Sequence, residues 1–299
     1  MELSEEKVFI ENAIPDNIRS KMSSFPAMPH SALKLRALFK EDEVPIYKIE
    51  KILRQDPGLA ANVLRLANSA YFGLSTKVGS LKRAIMLLGV KRFEQITISA
   101  CMSKTMDRPV EGYNLSPGKL WLHSIAVSTT AEALSKKMRI ADTNDVFTPA
   151  LLHDMGKLIL GEFIKKESKQ IESIVAKDIP LVVAENMVLG TDHAEIGALI
   201  LAKWSFPNDI VNAVRWHHDP DNISRTQKIL KDPSVQSDIV YLSNLICQQG
   251  GNNYSVGIKP APPSPDALKR LGINTDQYSV IVEKAHNWMN KLSDTLSFE

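Results

Sequence analysis

The stretch from Ala150 to Gly161, Ala-Leu-Leu-His-Asp-Met-Gly-Lys-Leu-Ile-Leu-Gly, puts a histidine and a carboxylate side by side in a run that is otherwise apolar. Thr148 and Pro149 read as an N-cap and a first-turn proline. They predict a helix that begins just before the pair and carries Leu151, Leu152, Leu158, Ile159 and Leu160 into a core. His153 and Asp154 then lie at buried surface. An ionised carboxylate there is costly unless an ion pair, hydrogen bonds or a metal neutralise it, and a neighbouring imidazole is a good divalent-metal ligand. Two readings stay open: a carboxylate held by backbone donors beside a core histidine, or one corner of a metal site.

The rest of the chain reads as a succession of short amphipathic helices. Prolines in Phe25-Pro-Ala-Met-Pro29 make a rigid entry, after a weak pattern in which Val8, Ile10, Ile14 and Ile18 suit a short docking helix. Apolar residues at three-to-four spacing follow over His30–Lys40, Pro45–Arg54, Gly58–Asn68 and Ser80–Leu88, the third capped by Asp56-Pro57 and the last closed by Gly89. Asn68–Gly73 ends the third of these. A long helix starting at Ser116-Pro117 and reaching about Met138 sets His123 on its core face, in a stripe with Leu120, Val127 and Leu134. Asp192 with Glu195 forms a capping box that puts His193 in a first turn, and Pro207-Asn208 opens a helix with His217-His218 near its end. Residues 250–264 read as a linker-like loop, with Ser264-Pro265 and Asn274/Gln277 capping two last helices. No segment alternates convincingly, so the fold class is all-α without significant β-sheet.

Composition removes several functions. Lys and Arg number 36 against 34 Asp and Glu, a net charge of +2 that gives no bulk case for nucleic acid, and the local run Lys77, Lys82, Arg83, Lys91, Arg92 suits a solvated face. No apolar run approaches the ~20 residues that span a bilayer, and the acidic start lacks a secretory pattern. Two distant cysteines, Cys101 and Cys247, in apolar surroundings suit reduced thiols, which points to the cytoplasm. No phosphate-binding glycine loop or Ser/Cys nucleophile motif is present.

Of seven histidines, His123, His153, His193, His217 and His218 fall inside apolar helical segments, leaving His30 and His286 apart. Adjacent ligands, as at His153-Asp154 and His217-His218, point about 100° apart on a helix, so each can address a different ion while a carboxylate bridges them. Such two-ion sites serve phosphoryl hydrolysis. Imidazole with carboxylate suits iron, manganese, nickel or zinc, one ion or two.

The order His123, then His153-Asp154 followed by Met-Gly-Lys, then His193, then His217-His218 resembles the HD superfamily of metal-dependent phosphohydrolases. Phe25-Pro-Ala-Met-Pro29, Asp56-Pro57, the segment Leu66 to Phe72 and the segment Ala84 to Gly89 together resemble the HDOD domain, the HD-related output domain of bacterial signalling proteins. The resemblance implies an HD-like multi-helix architecture and a signalling output or scaffolding role through a protein partner, in a family whose members often lack the metal ligands. Here His123, His153, Asp154, His193, His217 and His218 are all kept. The position resembling the closing HD aspartate is Asn244, a neutral and weaker ligand, and Asp238 lies off its helical face. No Gly-Tyr-Pro follows His218, which separates the chain from HD-GYP phosphodiesterases. If the chain is an enzyme, the resemblance implies a phosphohydrolase or phosphodiesterase with a phosphoester or nucleotide ligand, Asp154 catalytic and Lys157 contacting phosphate. The domain reading is an N-terminal extension over 1–21, an HDOD-like helical domain over 22–220, and a C-terminal helical extension over 221–299 packed on the main body.

Overall fold

A computed structural model describes residues 14–39, 41, 43–69, 72, 76–138, 146–221, 235–249 and 261–296, with side chains to residue 285. The expected docking helix therefore lies outside the described residues except at Ile14 and Ile18, both buried. Residues 250–260 of the expected loop, part of the Asn68–Gly73 segment and the His286 side chain also lie outside them. Among the described residues the fold is all-α. Its β-type pairing there is a single bridge between Val110 and Leu115, and no helix is long and apolar enough to cross a membrane.

The chain divides into two compact units, one of Met1–Pro26 with Arg108–Met289 and one of Ala27–Asp107 with Asn290–Glu299. The smaller holds α2 (His30–Leu38), α3 (Ile46–Arg54), α4 (Pro57–Ala67), α5 (Leu81–Leu88) and α6 (Val90–Met106). Asp56 caps α4 by accepting from the Leu59 amide at 3.1 Å, as its Asp-Pro signature predicts. Asn68 ends α4 by clasping Val78: its amide donates to the Val78 carbonyl at 2.8 Å and its oxygen accepts the Val78 N–H at 2.7 Å. Ile49, Leu53, Val63, Phe93 and Ile96 form the fully buried centre, as their three-to-four spacing requires.

The larger unit begins with α1 (Asp16–Ser24) and a 3-10 turn, Glu111–Tyr113. It continues through α7 (Lys119–Lys137), α8 (Phe147–Leu152), α9 (Lys157–Lys166), α10 (Ser168–Val175), α11 (Leu181–Leu189), α12 (His193–Lys203), α13 (Asn208–Arg215), α14 (Val235–Gln249), α15 (Pro265–Arg270) and α16 (Thr275–Leu296), the last as far as Met289. Helix α7 starts at Lys119, later than Ser116-Pro117 suggests, because Gly118 turns the chain at φ 78°. At the centre α7 packs on α8 and α14, while α13 packs on α8, α12 and α14. His123 lies on α7 and His193 on α12, while His153 and the His217-His218 pair follow the ends of α8 and α13.

One local expectation is corrected. Thr148 does not cap a continuous helix through the His-Asp pair; α8 starts at Phe147 and stops at Leu152, and His153 to Gly156 form a turn before α9. Backbone bonds there tighten to three-residue spacing, Met155 N–H to Leu152 O at 3.1 Å and Lys157 N–H to Asp154 O at 3.0 Å. Gly156 explains the break. A Cβ on it would stand 1.9 Å from the His193 carbonyl oxygen, so α12 approaches the turn backbone to backbone.

Candidate metal centre

The tight turn aims both members of the pair inward. Asp154, 1% exposed, presents its two oxygens to two sets of imidazoles. Oδ1 lies 3.3 Å from His193 Nε2 and 3.8 Å from His217 Nε2, and Oδ2 lies 3.3 Å from His153 Nε2 and 3.6 Å from His123 Nε2. His218, half-buried, closes the first set with Nε2 at 2.9 Å from His193 Nε2. The structure thus brings together all six metal-ligand candidates, in two groups of donors that share Asp154: His193, His217 and His218 on one side, His123 and His153 on the other.

Helix ends fix the rings. His153 Nδ1 is 2.7 Å from the Ala150 carbonyl and His217 Nδ1 is 2.6 Å from the Val214 carbonyl. A carbonyl only accepts, so each Nδ1 carries a hydrogen and each ring turns its Nε2 toward Asp154. Neither Nε2 makes a hydrogen bond, nor does Asp154 Oδ1. Buried lone pairs converging on a carboxylate repel unless a cation lies among them. This donor chemistry fits a divalent transition metal held by imidazoles and a carboxylate.

Two residues that the sequence reading passed over complete the surroundings. Glu185 on α11, fully buried, uses one oxygen twice: it accepts the His193 backbone N–H at 2.8 Å and lies 2.7 Å from His193 Nδ1. That leaves His193 Nε2 for the cluster, the usual role of a carboxylate behind a metal-binding histidine. Its signal was a charged residue in an otherwise apolar helix, Leu-Val-Val-Ala-Glu-Asn-Met-Val-Leu. Tyr113, in the 3-10 turn, is buried with its ring edge on His193 at 6.1 Å between centroids. The Lys157 ammonium sits 5.5 Å from that ring's centre and 2.8 Å from Asp154 Oδ2.

Electrostatics follow from burial and these partners. Burial pushes His123 down to about 3, against the opposing pull of Asp154. It holds His217 and His218 well below the usual histidine range, aided by the neighbouring imidazoles. His193 goes the other way, up to about 9, because Glu185 and Asp154 outweigh burial. Burial alone would raise the Asp154 carboxyl, but His153 and Lys157 hold it well below its ordinary value. His123, His217 and His218 are therefore neutral donors at neutral pH around an ionised carboxylate.

Asn244 on α14 is buried, with its amide oxygen 3.1 Å from His123 Nε2. Asp238, one helix face away, is held by the Arg270 guanidinium at 2.8 and 2.9 Å and does not join the cluster.

The HDOD domain family matches residues 25–220. Among solved structures, an HDOD domain protein of unknown function from Geobacter sulfurreducens superposes with a TM-score of 0.72 at 21% identity, over 97% of this chain and 99% of that one. A protein provisionally named a phosphohydrolase from Shewanella amazonensis SB2B superposes with a TM-score of 0.71 at 22% identity, over 94% and 98%. An uncharacterized protein of Treponema pallidum (strain Nichols) is 23% identical over 208 residues, 68% of this chain, and the chain spans 39% of that relative's length. At these identities the structural likenesses speak for the fold. The family match covers most of the chain, including the entry prolines, the His-Asp turn and the paired histidines, and the chain belongs to the HDOD domain family.

Proposed function

We propose that this chain is a signal-transduction output module of the cytoplasm that acts through contacts with partner proteins, and that its histidine cluster holds a divalent transition metal which fixes the larger unit. The observation that carries this reading is the depth of the cluster. Asp154, His153, His193 and His217 are buried, and the Lys157 ammonium lies on the carboxylate. Structural metal sites are closed by protein donors, whereas catalytic ones keep a position open to water and substrate. Asp154, His193, His217 and His218 offer four such donors. A bound ion would supply fixed positive charge among α12, the turn after α8 and the residues that follow α13, so its binding free energy adds to folding. Tyr47, Met86 and Leu87 stand largely exposed on the smaller unit, apolar surface that suits protein contact. In this reading residues 22–220 form the HDOD-like domain, with 1–21 and 221–299 as extensions, and nucleic acid is not a partner.

The test is elemental analysis of untagged protein followed by melting with and without a chelator. Metal that rises on reconstitution and a Tm that falls on chelation are expected; a Tm indifferent to both would sink the metal role. For the signalling role, pull-down from native lysate is expected to recover a stable partner. Robust phosphoester turnover with no partner would overturn it.

A second reading, a metal-dependent phosphohydrolase or phosphodiesterase, is favoured by one observation: Asp154 offers an oxygen to each of two donor groups, as a bridging carboxylate does. Asp154 and Lys157 would then be catalytic, the lysine orienting a phosphate. A nucleotide and cyclic-nucleotide screen with manganese or iron decides it, the His153→Ala/Asp154→Ala double variant giving the background.

A further inference from the structure

The two halves of the cluster share one carboxylate and are not equally available to a cation. On the Oδ1 side, neither the oxygen nor His217 Nε2 makes a hydrogen bond, whereas across the carboxylate, of the nitrogens facing Oδ2, His153 Nε2 alone is left without one. On the other side, Oδ2 already takes the Lys157 ammonium at 2.8 Å. His123 Nε2 there lies 3.1 Å from the Asn244 amide oxygen, which also accepts from Gln248 at 3.3 Å. We propose that Lys157 stands in for a second metal ion: the cluster takes one divalent ion, on the side of His193, His217 and His218, and the lysine neutralises the side of His123 and His153. This rests on the metal reading above and narrows it.

Charge counting carries the argument. The buried carboxylates at the cluster are Asp154 and, behind His193, Glu185, set against the one ammonium of Lys157. Asp192, half-buried, adds a third carboxylate at the N-cap of α12. One divalent ion brings this set close to neutrality. A second would leave a surplus of at least two positive charges among buried groups, and uncompensated buried charge is strongly unfavourable. A carboxylate at 244 would offset part of that surplus, but the residue there is a neutral amide. Removing the lysine and restoring the carboxylate should therefore open the second position.

The experiment loads the full chain with manganese(II), counts ions by elemental analysis and reads their environment by electron paramagnetic resonance. The wild type is expected to hold one ion per chain with the hyperfine pattern of an isolated centre. Lys157→Met combined with Asn244→Asp is expected to hold two, with the spectrum of a coupled pair. Asn244→Asp alone keeps the lysine and is expected to stay at one. Two coupled ions in the wild type or in Asn244→Asp would overturn the inference while leaving the metal reading intact. No ion in the wild type would overturn both. One ion in a folded double variant would show that Lys157 is not what excludes the second, and the wild-type count decides the stoichiometry even if that variant does not fold.

Discussion

The two units bury different kinds of polar group. Among the described residues of the Ala27–Asp107 segment the buried polar side chains are Gln95, Thr97, Ser99 and Ser103, all neutral and all on α6. Thr97 and Ser103 settle their hydroxyls on their own helix, on the Phe93 carbonyl at 2.8 Å and the Ala100 carbonyl at 2.9 Å. In the larger unit the buried set includes Asp154, Glu185, Lys157 and four imidazoles, and His123, His193 and His217 reach Asp154 from other elements, as Glu185 reaches His193. A hydroxyl bonded within its helix is indifferent to how helices approach. A carboxylate ringed by imidazoles is not, so the stability of one unit is set by packing and that of the other also by charge neutralisation.

The largest effect that would sharpen this comparison comes from two glycines. Gly156→Ala in the His-Asp turn would drive a methyl to 1.9 Å from a backbone oxygen, a clash that no side-chain rotation relieves. It is expected to cost upwards of about 3 kcal/mol in denaturant unfolding and to abolish metal binding. Gly79→Ala in the smaller unit meets nothing within 4 Å and is expected to stay within about 1 kcal/mol of wild type. Equal costs would break the contrast.

Next in size is Glu185→Gln. The amide oxygen still accepts from the His193 N–H groups, so the fold is expected to hold, but the charge behind the imidazole is gone. Metal affinity measured by calorimetry is expected to fall roughly 10- to 100-fold, with unfolding of the metal-free chain changed far less. An unchanged affinity would mean that Glu185 serves packing alone.

What was legible in the sequence follows the same division. Caps and proline positions at Asp56, Asp192 and Ser264 are local chemistry, and the structure shows each side chain accepting the amide predicted for it. The six candidate ligands are legible because their residue types are costly in apolar helices, and the structure places five of them around the sixth, Asp154. Glu185 carries a local signal as the one charge in an apolar helix, but its role is non-local: eight residues before His193, it meets that imidazole only because α11 packs on α12. The break at His153 was missed because its cause, contact between Gly156 and the His193 carbonyl, joins two segments far apart in the chain. Glu195 shows the limit of a local motif. Asp192 does cap α12, and the Glu195 carboxylate also accepts from the Arg215 guanidinium at 2.9 and 3.1 Å, a contact that a local motif does not announce.

The smallest expected effect uses one buried thiol in each unit as a reporter. Burial pushes Cys101, in the smaller unit, up to about 12, with Asp56 adding to the rise. Burial pushes Cys247 on α14 to about 12 as well, despite the opposing contact with Thr130. Each thiol holds its proton more tightly in the native chain than at its ordinary value of 9.0. Their contribution to stability is therefore complete below about pH 9 and is lost as pH rises toward about 12. At pH 8 the native thiols are almost wholly protonated, and labelling by a disulfide reagent proceeds through transient opening. Metal at about ten times its Kd is expected to slow Cys247 labelling about tenfold, the stabilisation of about 1.4 kcal/mol that such an excess supplies. Cys101 labelling is expected to stay within about twofold, because every donor to the ion belongs to the other unit. Equal slowing of both thiols would show that the units open as one and would erase the energetic distinction between them. No slowing of either would place the metal outside the folding equilibrium of α14.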